Sequence, residues 1–344
     1  MDEVQTDVLQ RLRDLDLDAL VAGLQAHYAG VTPVFLLDLA TDYGVFLVAA
    51  LGLYILMSAG QVSLGHAGML GIAAYAAAVL AVKLGLPFWL SLPLSGVVGL
   101  AAGAAYFGLL GLRLGGFYLA IGTFAVGEML ITIWLNSDYL GGAIGFIGIP
   151  LVSRWPVVLP VALFTLFLVW RLEQSRFGLA FRAVRDNQRV AGAMGVDVRR
   201  TKLLAWLVGG FVTGLAGCLH AHRVTVLSPQ EFGFYFSLTL LLAVLIGGLR
   251  TFWGTCLGAA IVYFVPWLTT TDEPRDRLML YGIVIVLLMI FRPQGLIPQT
   301  AVARRRRADA APPGPAAGSG REQAATETVA TNPAAADRPT PSSN

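Results

Sequence analysis

Charge is what this sequence has least of. Only 13% of its 344 residues are charged, against about 25% in a usual soluble domain. Lysine is nearly absent. Val82 precedes Lys83 and Thr201 precedes Lys202, so no Gly-Lys-Ser/Thr phosphate loop exists and ATP hydrolysis is not expected on this chain. The two cysteines, Cys218 and Cys256, both lie in apolar segments, so a disulfide framework is not expected and no metal-ligand spacing exists. There is no HExxH pattern, and His27, His66, His220 and His222 do not form a metal set. His220 and His222 flank an alanine at a helix end, where an interfacial role is expected. Gly115 and Gly116 lack the strand and helix of a dinucleotide fingerprint. No basic signal-peptide region opens the chain. A net charge of +3 gives no case for nucleic-acid binding. The expected absences are therefore a catalytic site, a metal and a resident cofactor.

Apolar residues are abundant, at 56% of the chain. They gather in segments near 44–59, 66–82, 88–111, 117–135, 156–171, 203–221, 236–248, 252–270 and 278–291. A spanning helix needs about 20 apolar residues. The fold class expected is all-α, a polytopic membrane bundle of roughly eight to ten helices with at least one broken or re-entrant segment. The segments at 44–59 and 236–248 are short for crossings. Residues 1–30 read as an N-terminal amphipathic segment, with Val8, Leu12, Leu15, Leu20 and Leu24 near helical spacing. Residues 31–298 read as the membrane domain. Residues 299–344 follow as a tail rich in Ala, Pro, Gly, Ser and Thr, which cannot bury a core and is expected to be disordered.

The loop 172–202 concentrates basic side chains. Arg171, Arg176, Arg182, Arg185, Arg189, Arg199, Arg200 and Lys202 in or beside it outweigh Glu173, Asp186 and Asp197. The positive-inside rule puts this loop in the cytoplasm, together with Arg113, Arg250, Arg292 and the run Arg304–Arg307. The loops near 136–155, 223–235 and 271–277 then fall outside. Arg154, Arg223, Arg275 and Arg277 lie there and strain the assignment. The C-terminus is expected in the cytoplasm.

Residues 58–71 read SAGQVSLGHAGMLG. Polar groups and glycines between two apolar runs mark a helix break. Such a break is tolerated only against protein or a watery cavity, and transporters use breaks of this kind near a substrate path. A polar turn at the membrane surface fits the same residues. Glu128 lies inside an apolar helix, where an acid costs roughly 2.5–3.5 kcal/mol on insertion scales. It is read as a structural hydrogen-bonding group or as a proton-coupling carboxylate. In 246–260, Gly254 and Gly258 give the small-xxx-small spacing of closely packed helices.

Within the basic loop, Phe177, Phe181, Val184, Val190, Ala191 and Met194 fall near helical spacing, and Gly195 ends the pattern. One surface helix is predicted, with an apolar side free for a partner.

Six stretches carry a family resemblance: GQVSLGHAGMLGIAAYAAAVL, LRLGGFYLAIGTFAVGEML, LGGAIGFIGIP, SRFGLAFRAVRDNQRVAGAMGVDVRRTKLLAW, LIGGLRTFWGTCLGAAIV and YGIVIVLLMIFRPQGLIP. From about 44 to 298 the chain resembles the LivM-type permeases of branched-chain amino acid ABC importers. The resemblance implies a second, LivH-like permease subunit, two cytosolic ABC ATPase subunits that hold ATP and Mg, and an extracytoplasmic substrate-binding protein. The resemblance likewise implies a prokaryotic plasma membrane, with membrane lipid around the rest of the bundle. It also implies that the basic loop is the coupling helix, with Phe181, Arg182, Arg185, Asp186, Asn187, Ala191 and Gly195 at the ATPase contact. Many importers carry Glu-Ala-Ala, three residues and then Gly there. Arg189 and Val190 depart from that pattern, while Ala191 and Gly195 keep it. Gln61, Ser63, Gly65, His66, Glu128, Gly141 and Gly142 are the pathway candidates the resemblance implies. Urea or short-chain amide permeases belong to the same broad family. A proton-coupled secondary transporter and a membrane scaffold are the readings from other classes.

Overall fold

The computed structural model describes residues 33–249, 251–268 and Gly282. The chain divides into two units, Met1–Ile297 and Pro298–Asn344, and the described residues all belong to the first. The N-terminal segment 1–30, the apolar run 278–291, Arg250, Arg292, the run Arg304–Arg307 and the tail 299–344 lie outside them.

Ten α-helices and one two-residue strand pair make up the described fold. The long helices are α1 (Pro33–Ser58), α2 (His66–Ala78), α3 (Phe88–Tyr106), α4 (Phe117–Leu135) and α5 (Trp155–Gln174). Two short helices follow, α6 (Arg176–Asp186) and α7 (Gln188–Ala193). Then come α8 (Val198–Val224), α9 (Phe234–Gly247) and α10 (Phe252–Leu268). A wider π-type turn extends α2 through Val79–Lys83 and α3 through Phe107–Gly111. Among the described residues, 7 helices are long and apolar enough to cross a membrane, so the chain is a multi-pass helical bundle. Both segments that looked short reach spanning length. α1 begins well before residue 44, and a short 3-10 turn at Pro229–Phe232 leads into α9.

α8 is the most buried of the spans and forms the axis of the bundle, packed on α1, α2 and α3. Lipid supplies no hydrophobic drive between helices, so close backbone approach must hold them. The α3–α8 seam supplies it. A side chain at Gly99 or Gly210 would overlap the backbone of the opposite helix. The spacing of Gly254 and Gly258 acts as expected, seating α10 against the Gly247 and Ala243 carbonyls of α9. α4 and α5 are the least buried spans.

At one end of the bundle lie α6, α7 and the basic loop, called here the basic end. At the other, β1 (Phe146–Ile147) pairs antiparallel with β2 (Val226–Leu227). This joins two loops that the charge pattern had put on one side.

Candidate functional site

The break at 58–65 is an interior element. α1 ends at Ser58, beside the basic end, and Gly60 takes a positive φ of 73°. Residues 61–65 carry no helix, and α2 starts at His66. Ala59, Gln61, Ser63 and His66 are all buried. The extended chain therefore climbs from the basic end into the bundle rather than turning at a surface. Its freed backbone donors find side chains. Leu64 N–H donates to Thr123 Oγ1 at 3.1 Å, and Ala67 N–H donates to Ser237 Oγ at 3.0 Å. This satisfies the requirement that irregular backbone at membrane depth be covered by protein.

Gly65 is needed by contact. A Cβ there would overlap the Thr123 carbonyl of α4. His66 meets α8. Thr213 Oγ1 gives its proton to the Gly209 carbonyl at 2.8 Å, and His66 Nε2 lies 2.9 Å from that Thr213 Oγ1. His66 Nε2–H is therefore the donor in that pair. Among the described residues, Gln61 Oε1 and Ser63 Oγ are buried without a partner. Four pathway candidates, Gln61, Ser63, Gly65 and His66, thus share one thread through the core, walled by Thr123, Thr213 and Ser237. Sequence reasoning missed those three walls. Isolated hydroxyls are common in membrane helices, and only packing aims these at the break.

Glu128 sits on the neighbouring face of α4. Gly127 approaches Gly65 and Gly68, whereas Glu128 is half-buried and, among the described residues, its carboxylate has no partner. Thr132 and Asn136 extend the same face, with Thr132 Oγ1 donating to the Glu128 carbonyl at 3.0 Å and Asn136 Nδ2 to the Thr132 carbonyl at 2.7 Å. Gly141 and Gly142 are not brought to the thread. Both have positive φ, 89° and 55°, and shape the turns leading to β1 at the sheet end.

The basic loop departs from the single helix predicted. Asn187, at φ −158° and ψ 108°, breaks it into α6 and α7. Its Oδ1 caps α7, accepting from Arg189 N–H at 3.0 Å and Val190 N–H at 3.1 Å. An Asn side chain that satisfies exposed helix-start donors is a sufficient cause for the break. Gly195 ends the turn after α7 with φ 86°. The apolar face divides as well. Phe181, Val184 and Ala191 are buried in the protein's own bundle, while Phe177, Val190 and Met194 are exposed. The face open to a partner is thus smaller than the sequence pattern implied.

α6 is clamped to three other elements. Arg185 Nη1 donates to the Leu249 carbonyl at 2.6 Å, and its Cα would stand 3.2 Å from a Cβ placed on Gly60. Arg182 meets Glu173 through Nη1–Oε1 at 3.6 Å and through a bond to the Glu173 carbonyl at 3.3 Å. Glu173 Oε2 also accepts from Phe252 N–H at 3.2 Å, at the start of α10. A displacement of α6 therefore bears on the foot of the broken segment and on the α9–α10 turn together. Arg185 points inward, with 13% of its side chain exposed, while Asp186 is exposed beside it.

The two histidines near the end of α8 part company. His222 Nδ1–H donates to the Pro150 carbonyl at 2.9 Å, and His220 lies 3.7 Å from Glu231. No group of three or more metal-ligating side chains occurs among the described residues. Arg223, a basic residue that strained the charge rule, is paired with Asp42 and Asp38 of α1.

The family model described as branched-chain amino acid transport system / permease component matches residues 35–291. The high-affinity branched-chain amino acid transport system permease protein LivM of Escherichia coli (strain K12) is 32% identical over 302 residues, covering 76% of this chain and 70% of the relative. A probable branched-chain amino acid transport permease protein LivH of Methanocaldococcus jannaschii is 30% identical over 161 residues, or 46% of this chain and 49% of the relative. The autoinducer 2 import system permease protein LsrC of Enterobacter sp. (strain 638) is 29% identical over 223 residues, or 61% of this chain and 62% of the relative. No solved structure matches. With a spanning helical bundle, an interrupted polar segment at its centre and a match over most of its length, the chain belongs to the branched-chain amino acid transport system permease family.

Proposed function

We propose that this chain is one of two membrane subunits of an ATP-driven importer for branched-chain amino acids, moved by ATPases on separate chains that hold ATP and Mg. The basic end faces the cytoplasm under this reading, with the C-terminus on the same side, and the sheet end faces the binding protein. The observation that carries the proposal is the contact of α6 with the foot of the broken segment, at Arg185 and Gly60. ATPase closure acting on α6 and α7 would push there. The polar thread from Gln61 to His66 would then exchange its partners, as a packed core with two discrete arrangements does.

The α4 face with Glu128, Thr132 and Asn136 supports a companion permease. A carboxyl group facing hydrocarbon costs several kcal/mol, on the order of 3 on insertion scales. Protein or a water-filled path must therefore cover that face, and we assign it to the seam with a LivH-like subunit. Asp186, Val190 and Met194, all exposed, are the ATPase-facing residues of this reading. Arg182, Arg185 and Phe181 transmit the push.

The test is uptake in proteoliposomes. The full assembly with binding protein should accumulate labelled leucine only when ATP is inside the lumen-equivalent compartment that the ATPases face. The chain by itself, given a pH gradient, should accumulate none. Uptake by the chain alone, driven by protons through Glu128, would overturn the reading.

A further inference from the structure

At the sheet end a cavity of about 260 Å³ opens between α1, α2, α8, α9 and α10. That is far above the ~10–15 Å³ that one water requires on the same measure. Its floor is apolar, formed by Val45, Phe46, Ala49, Leu70 and Phe236. Its rim is charged. Arg223 faces Asp42 through two contacts, one of them Nη2–Oδ2 at 3.1 Å. Asp38 stands outside the lining and holds Arg223 from beyond the rim, through Nη1–Oδ1 at 3.3 Å. His220 and Tyr263 complete the rim. Asp42, Val45 and Ala49 are spaced on α1 so that one helix face runs from carboxylate to apolar floor.

We propose that this cavity is a receiving site for an α-amino acid zwitterion with an apolar side chain. The proposal rests on the amino acid import reading above, and it adds a binding site on the permease itself. Three features select the ligand class. The guanidinium offers planar donors that match a carboxylate. Two carboxylates around one guanidinium leave an excess negative charge, which suits an ammonium group. The apolar floor below them suits an aliphatic side chain, since buried apolar area is the main favourable term there. The ion pairs need not be lost on binding. Asp38 is 56% exposed and makes the longer contact. The ligand carboxylate takes its place on Arg223, and the ligand ammonium is received by Asp42 in the rim, with the released Asp38 carboxylate beside it. Charges then remain paired throughout, which an isolated anion or cation would not achieve.

The test is equilibrium binding of labelled L-leucine to the purified permease pair, with competitors. L-Leucine should compete fully. Leucinamide, which lacks the carboxylate, and 4-methylpentanoate, which lacks the amine, should each compete about tenfold or more weakly. Arg223→Gln should weaken leucine binding by a similar factor. Ala49→Leu fills the floor and leaves every charge in place, so it should weaken leucine more than alanine and invert their order. Equal loss for both ligands, or no loss in a folded Ala49→Leu variant, would overturn the site. If Arg223→Gln does not fold, the Ala49→Leu ratio decides alone. Normal ATP-driven uptake by an assembly whose permease pair binds no leucine would remove this site while leaving the import reading standing. Absence of ATP-driven uptake would instead remove the import reading.

Discussion

Arg185→Ala isolates how force would pass through this protein. The side chain lies inside the joint between α6 and the α9–α10 turn, donating from Nη1 to the Leu249 carbonyl at 2.6 Å. A hydrogen bond with one charged partner contributes about 1.5–3 kcal/mol. If that bond makes α6 and the turn move as one body, its loss lowers the coupling between ATPase closure and the membrane helices by the same amount. That corresponds to about a 10- to 150-fold fall in the coupling constant. The assay is leucine taken up per ATP hydrolysed by the reconstituted assembly. The ATPases should remain bound, because the residue faces inward, and hydrolysis should continue while uptake per ATP collapses. Arg185→Lys should recover part of the ratio, since an ammonium supplies a donor without the fixed fork of a guanidinium. A normal ratio in the alanine variant would refute the joint. Loss of ATPase co-purification would refute the inward role and return Arg185 to the docking surface.

Gly65→Ala should cost about 1–3 kcal/mol by overpacking against the Thr123 carbonyl. It should lower both the melting temperature and uptake, and an unchanged melting curve would contradict the close approach. Asn187→Ala should remove about 1 kcal/mol of capping from α7, weakening ATPase association with insertion intact. Asn187→Asp should preserve association, and equal binding by both variants would count against α7 as a contact. Met194→Glu places a charge on an exposed apolar residue and should weaken ATPase co-purification without altering thermal stability; unimpaired capture would move the docking face elsewhere. Glu128→Gln should keep ATP-driven uptake if the group is a polar wall of the seam. Complete loss with normal assembly would demand an ionised carboxylate.

Much of this protein was legible in one dimension. Hydropathy is a local sum along the chain, so composition and runs of apolar residues gave the membrane class and the approximate spans. The break at 58–65 was legible for the same reason, because glycines and polar groups interrupt an apolar run whatever surrounds them. The choice between surface turn and interior thread was not. It depends on whether Thr123 and Ser237, far away in sequence, stand where freed N–H groups need acceptors.

The sequence by itself determined an all-helical membrane chain with a basic loop, a broken central segment and closely packed glycines. Tertiary structure alone decided what each charge and apolar face meets. Arg223 finds Asp42 at a sequence separation of 181 residues, which turns an exception to the charge rule into a paired rim above an apolar cavity. Phe181 and Val184 pack on the protein's own bundle, so a periodicity that suggested a partner served the fold in part. Periodicity says which residues share a face; only the packing of the other helices says whether that face is already covered.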